Sequence, residues 1–335
     1  MDVENYFVKL NTEVYGGPIL MSWLDRPLSI AGRVSLKSKQ ALHPNNQLVD
    51  FKRPVAIIPN LAIHLNRSVN EGVELNKQTD MLPLVGINFD KNGSKGFLKE
   101  ALAKELNINS AEILDFDLTL YEHNKGCVMG MNNEFISSSK IDNLAMTHAG
   151  LAALMDNYAQ PFTQMLAVFD NEEVGSLTKQ GAGSPLFKHI FERILSVMGK
   201  DIESTHRCIY NSFMVSADMA HSVHPNRPEK HDPVLHPLLN KGPVIKIHAN
   251  QKYTSDGDSI AVFEALCQKA EVPYQKFVNR SDATGGSTLG NISTGQLEIR
   301  SVDVGNPMLA MHSVRELSGV KDHLYMIRVL KEFYN

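Results

Sequence analysis

The sequence predicts an α/β fold with a second, mainly β segment inserted into it. Three observations lead there. Short apolar runs alternate with stretches of helical apolar spacing over the last two thirds of the chain. The region from about Leu28 to Val128 has strand-like patterning and little helical period. At 335 residues the chain is long enough for two domains, or for one large domain with an insertion.

Within the inserted region, Ser29–Lys37 (SIAGRVSLK), Arg53–Ile58 (RPVAII) and Leu118–Glu122 (LTLYE) read as strands separated by Asn-, Pro- and Gly-rich turns. Lys95–Leu106 (KGFLKEALAKEL) is the exception and reads as a helix. In the remainder, Thr163–Phe169 (TQMLAVF), Ser212–Ala217 (SFMVSA), Pro243–Ile247 (PVIKI) and Leu297–Val304 (LEIRSVDV) read as buried strands. Leu186–Met198, Ile260–Ala270 and Ser313–Phe333 read as helices. This alternation predicts a mostly parallel sheet covered by helices.

Composition narrows the functional classes. Lys+Arg 33 against Asp+Glu 37, well mixed along the chain, leaves no charged block for a nucleic-acid or membrane surface. There is no apolar run long enough to span a bilayer and no basic-then-apolar leader at the start, so a cytoplasmic location is expected. Cys127, Cys208 and Cys267 are odd in number and far apart, which suits a reducing compartment and buried small side chains.

In an α/β sheet, functional groups gather beyond the carboxyl ends of strands. Asp170-Asn171-Glu172-Glu173 directly follows TQMLAVF, and Asp218 directly follows SFMVSA. His312 lies in a loop after LEIRSVDV, and Asp142 lies just before a helix beginning near Met146. A single surface acid is usually a solvated charge, and an adjacent acid pair is common. Four such groups at strand ends, however, can converge on one crevice. Two adjacent carboxylates outside a regular helix can divide the work, one binding a metal and the other deprotonating a water. Mixed His and carboxylate donors suit Zn²⁺ and also tolerate Mn²⁺ or Co²⁺.

Phe169–Ser176 (FDNEEVGS), Val215–Asn226 (VSADMAHSVHPN) and Leu309–Glu316 (LAMHSVRE) resemble signatures of the M18 metallo-aminopeptidases, the aspartyl aminopeptidase family. Tyr15-Gly16-Gly17, Trp23–Leu28 (WLDRPL), Ala31–Val34 (AGRV), Ile58–Arg67 (IPNLAIHLNR), Gly242–Lys246 (GPVIK) and Gln251–Tyr253 (QKY) are similar to further blocks of that family, in the same order. The resemblance implies a zinc-peptidase three-layer α/β/α sandwich formed by residues 1–24 and 131–335. Residues 25–130 would form an inserted, mainly β oligomerisation domain. It implies two divalent metal ions, with Asp142 bridging them, Glu173 and His312 completing the first shell, Asp218 on the second, and Glu172 as general base. The implied activity is removal of the N-terminal residue from short peptides.

The resemblance also places Lys246 and Tyr253 on the substrate side, where Lys246 would favour acidic N-terminal residues, with Gly285-Gly286-Ser287-Thr288 and Asp282 nearby. His221 would support the ligands or the substrate. His64, which by its apolar neighbours alone reads as a core histidine, would reach a neighbouring subunit's site in a homo-oligomer, a dodecamer built from dimers. One departure stands out. The family's remaining ligand is a histidine of an HxDxP-like motif upstream of Gly16, and none of the 13 histidines here has that context. A preceding segment is therefore expected to supply it. Without it the second metal would have two protein ligands, and a catalytically silent assembly or binding protein becomes the alternative. A deacylase on the same scaffold is a third reading.

Overall fold

The computed structural model describes residues 6–87 and 96–335, which divide into two units, Met1–Lys125 and Gly126–Asn335. In the first, β1 (Phe7–Lys9), β2 (Leu28–Leu36), β3 (Asn45–Asp50), β4 (Leu84–Ile87) and β5 (Ile113–Glu122) are joined by one α-helix, α1 (Phe97–Leu106). β2 is central, antiparallel to both β3 and β5. Its alternation buries Ile30, Val34 and Leu36 against Leu102 and Ala103 of α1, as a strand with one covered face must. Gly32 is required at the crossing, because a Cβ there would lie 2.1 Å from the Asp117 carbonyl oxygen. The described part of the unit has five strands and one α-helix.

The boundaries differ from those expected. Residues 1–24 were assigned to the larger unit, but β1 pairs with β4, and Leu20, Trp23 and Leu24 pack on Leu28, Ala56 and Ile58. Apolar contact, which the motif order does not report, places them with the inserted segment. The division falls after Lys125 instead of after residue 130.

The second unit opens with β6 (Cys127–Met129), β7 (Phe135–Ser138) and the helix α2 (Ile141–Met155), followed by α3 (Leu186–Val197) and α4 (Ile202–Asn211). Then come β8 (Phe213–Ala217), β9 (Ala220–His221), β10 (Val244–Ile247), α5 (Gly257–Lys269), β11 (Gln275–Val278) and α6 (Leu289–Thr294). β12 (Arg300–Gly305), β13 (Pro307–Leu309), β14 (Glu316–Gly319) and α7 (Val320–Tyr334) complete it. One sheet runs β11-β10-β12-β8 and a second runs β6-β7-β14-β13-β9. The sheet was expected to be mostly parallel. It is mixed, because β10 and β12 are antiparallel while β10–β11 and β12–β8 are parallel.

Period-two alternation divides the faces of the first sheet. Val302 and Val304 of β12 and Ile245 of β10 pack with Met146 and Ala149 of α2, Phe263 and Cys267 of α5, and Met326 and Val329 of α7. α5 starts at a capping box, with Asp256 accepting from Ser259 N and Ser259 Oγ accepting from Asp256 N. Two expectations need correction. Thr163–Phe169 forms no strand among the described residues and is only half-buried. An apolar run specifies burial, but a strand also needs a ladder partner. Here side chains hold the segment instead. Tyr334 Oη donates to Met165 O at 3.3 Å, Gln164 donates to Tyr334 O, and Leu166 fills the space over Gly150. The closing helix begins at Val320 because Glu316–Gly319 is committed to β14.

Candidate metal centre

Asp142 sits in the first turn of α2, where Asp142 and Asn143 depart from helical dihedrals and Lys140 at the N-cap is left-handed. Glu172 and Glu173 open a short 3-10 turn, Glu172–Val174, after left-handed Asn171. Asp218 is the first residue beyond β8, and His312 lies between β13 and β14. Ala310 and His312 both have positive φ, 56° and 66°. Such backbone is costly for residues with a Cβ and is typically held where a side chain must be aimed.

The structure brings together Asp142, Glu173 and His312, whose ligating atoms all lie within 4.8 Å of one another. His312 Nε2 is 3.5 Å from Asp142 Oδ2 and 3.4 Å from Glu173 Oε2. A charge-assisted hydrogen bond would draw these atoms to about 2.8 Å. Donors at roughly 2.1 Å from a tetrahedral ion stand roughly 3.4 Å apart. The spacing is therefore that of a tetrahedron's edge, and an imidazole with two carboxylates is a donor set that divalent ions accept.

Asp218 is not in that triad. Its Oδ1 accepts from Met219 N at 2.9 Å, and its Oδ2 faces Lys246 Nζ at 3.5 Å. Burial pushes its pKa up to about 7 against the pull of Lys246, and Asp142 and Glu172 push it further in the same direction. Glu172 is raised by burial and by Asp142, against His312 and Lys246. Glu173 is raised by burial, against His312, with Asp142 and Glu172 adding to the rise. This is an excess of half-buried negative charge converging on one point.

Lys246 is buried, and its Nζ also donates to Met219 O at 3.1 Å and lies 5.4 Å from the Tyr253 ring centroid. Burial lowers its pKa, but Asp218 and Asp303 more than compensate, so the ammonium is held charged. Tyr253 is buried and packs edge-on to His248. The His221 ring packs edge-on to Phe277, and desolvation with the Lys246 charge lowers its pKa. Asp282 pairs with Arg280 at 2.7 Å. His64 is not a core residue. It lies exposed in the first unit beside exposed Leu61, Ile63 and Leu65.

Sequence reasoning passed over Glu316, although it closes the Leu309–Glu316 block. Its buried carboxylate accepts from Asp142 N at 3.0 Å through Oε2 and from His312 N at 2.8 Å through Oε1. Burial pushes its pKa up to about 7 against those two N–H groups. One side chain thus fixes the backbones of two triad members. In Glu316→Gln one oxygen becomes an NH₂ group facing an N–H donor. Zn²⁺ affinity, read by competition with a chromophoric chelator, is expected to fall about 10- to 100-fold with the far-UV spectrum unchanged. Equal affinity would rule this tether out.

The profile of the family described as "Aminopeptidase I zinc metalloprotease (M18)" matches residues 1–334. A probable M18 family aminopeptidase 2 of Clostridium acetobutylicum is 56% identical over 332 residues, covering 99% of this chain and 77% of that protein. A probable M18 family aminopeptidase 2 of Pseudomonas aeruginosa is 42% identical over 332 residues, covering 98% and 76%. Among solved structures, a chain of the Ape4 and Nbr1 complex superposes with a TM-score of 0.92 at 35% identity, covering 99% of this chain and 68% of that one. The S. cerevisiae mApe1 dodecamer gives 0.79 at 28% identity, covering 98% and 73%.

The fold and the site together define a metallo-aminopeptidase, a hydrolase acting on N-terminal residues. The chain belongs to the M18 peptidase family. These matches to enzymes weigh against the silent-homologue reading. No helix among the described residues is long and apolar enough to cross a membrane.

Proposed function

We propose that the chain removes N-terminal residues from short peptides with Asp142, Glu173 and His312 holding one divalent ion. Asp142 and Asp218 are assigned to a second ion, with Zn²⁺ the first choice for both. The carrying observation is the 3.4 and 3.5 Å separation of His312 Nε2 from two carboxylate oxygens. Divalent ions bound there would polarise the peptide carbonyl and make a water acidic near neutral pH. Glu172, next to Glu173 and with its pKa raised by burial, accepts the proton as the water oxygen attacks the carbonyl carbon. It then gives that proton to the nitrogen of the breaking peptide bond. The α-amine of the substrate docks beside the acids. The test is metal content together with hydrolysis of Leu- and Asp-p-nitroanilide. A protein that binds no divalent ion, or that cleaves N-blocked substrates faster than free-amine ones, would overturn the proposal.

Lys246 and Tyr253 are read as the substrate-side pocket, with Lys246 favouring an acidic N-terminal side chain. Support comes from the buried ammonium, whose Asp218 partner would be committed to metal in the loaded enzyme. Lys246→Met is expected to lower the preference for Asp- over Leu-p-nitroanilide about tenfold or more. An unchanged ratio would reject the assignment.

Assembly is proposed to run through the first unit. Exposed Leu61, Ile63 and Leu65 flank His64 there, and a structural relative is described as a dodecamer. A dodecamer built from dimers, with His64 entering a neighbour's site, predicts that His64→Phe loses activity while keeping its metals. A His64→Phe enzyme with wild-type kinetics would exclude that role.

A further inference from the structure

The polar face of the β11-β10-β12-β8 sheet carries a buried acid outside the proposed chemistry. Asp303 is 0% exposed, and its carboxylate accepts from four donors on three segments. Oδ1 accepts from Ser216 Oγ at 2.5 Å and from Thr288 Oγ1 at 3.0 Å. Oδ2 accepts from Thr254 N at 2.6 Å and from Thr254 Oγ1 at 3.2 Å. Its own backbone N–H donates to Ser255 Oγ at 2.9 Å.

Each partner has a position of consequence. Ser216 pairs with Asp303 across β8 and β12 and lies two residues before Asp218. Thr254 follows Tyr253. Thr288 ends the Gly285–Thr288 loop at the N-cap position of α6, with its hydroxyl turned to Asp303 instead of the helix. One step beyond the Ile245↔Val304 pair, on this same polar face, Lys246 lies beside Asp303. Space is fully used, since a Cβ on Gly290 would meet Asp303 Oδ1 at 2.6 Å and Ser216 Oγ at 2.7 Å. A buried carboxylate is tolerated only when its lone pairs are satisfied, and here all the donors come from the segments around the substrate-side pocket.

We propose that Asp303 is a positioning residue for substrate binding, clamping the Tyr253–Thr254 and Gly285–Thr288 segments onto β8, just before Asp218. The inference rests on the reading of Lys246 and Tyr253 as substrate-side groups. Because Asp303 does not touch the ligand triad, its loss should act on KM and leave the hydrolytic step alone.

The test compares Asp303→Ala and Thr288→Val with wild type on Leu- and Asp-p-nitroanilide, with metal content and melting temperature measured alongside. Thr288→Val removes one tether and leaves Asp303 held by Ser216 and Thr254, so it remains informative if Asp303→Ala fails to fold. Expected is a rise in KM of about tenfold in Asp303→Ala and about threefold in Thr288→Val, with kcat within about twofold and metal content unchanged. A lower melting temperature with unchanged KM in the folded variants would show a merely structural role and overturn the proposal. So would a fall in kcat that tracks lost metal. If Lys246→Met leaves substrate preference unchanged while these variants still raise KM, only the acidic preference assigned to Lys246 fails, and the placement of the Tyr253 and Thr288 segments beside the substrate stands with the clamp.

Discussion

Replacing Glu172 with Gln is expected to lower kcat about 100- to 10,000-fold while bound metal, measured by atomic absorption, stays at the wild-type level. The amide matches the carboxylate in shape, so the turn Glu172–Val174 and its bond from Gly175 N to Glu172 O should persist. What it lacks is the capacity to take a proton from water and return it to the leaving nitrogen. Glu173 supplies the contrast. Its Oε2 stands 3.4 Å from His312 Nε2, so Glu173→Gln should reduce metal affinity first and turnover as a consequence. If the Glu172 variant turned over within a few-fold of wild type, the base would have to be sought elsewhere. If it lost its metals, Glu172 would be a ligand.

The second large effect concerns the protein stripped of metal by a chelator. Asp218 and Glu316 have pKa values pushed up to about 7, and Asp322 to about 6, burial being the first cause in each. In the unfolded chain such groups titrate near pH 4. Between pH 4 and 7 these three groups hold more protons in the folded, metal-free protein than in the unfolded chain, so their contribution to stability falls as pH rises, while His221, His231 and His323, lowered first by burial, contribute with the opposite sign. The carboxyl contribution is opposite in sign to ordinary acid denaturation. Each proton of difference corresponds to about 1.4 kcal/mol per pH unit, or on the order of 3 °C in melting temperature for a unit of this size. A divalent ion should weaken the trend, since it needs Asp218 ionised, and its uptake at pH 6 should release protons. Melting curves from pH 5 to 8, with and without Zn²⁺, measure this. A metal-free pH slope that Asp322→Asn leaves unchanged would be incompatible with the raised pKa of that carboxyl.

Much of this was legible in the sequence, for identifiable reasons. β8, β10, α3 and α5 were found because apolar period and helix length are local properties. The acids after β8 and before α2 were found because strand and helix ends are where functional groups collect. Thr163–Phe169 was read as a strand because its composition is that of one, whereas strand formation depends on a neighbour the run itself does not encode. Residues 1–24 were misplaced because motif order says nothing of which core Trp23 and Leu24 enter. Glu316 and Asp303 escaped for a common reason. Both act through backbone N–H groups or hydroxyls of remote segments, and no spacing rule reports that. For Asp303 one signal existed, a lone acid in the otherwise apolar alternation of Val302 and Val304.

Glu316 bonds to Asp142, 174 positions earlier in the chain, and the triad of Asp142, Glu173 and His312 spans nearly the same interval. No fragment that stops short of His312 contains the whole triad, and Glu316 holds the Asp142 and His312 backbones only where β14 and α2 are together. Ion binding at the triad therefore draws on long-range contacts of the second unit. A centre whose ligands are spread from Asp142 to His312 needs nearly the whole of the second unit to be present.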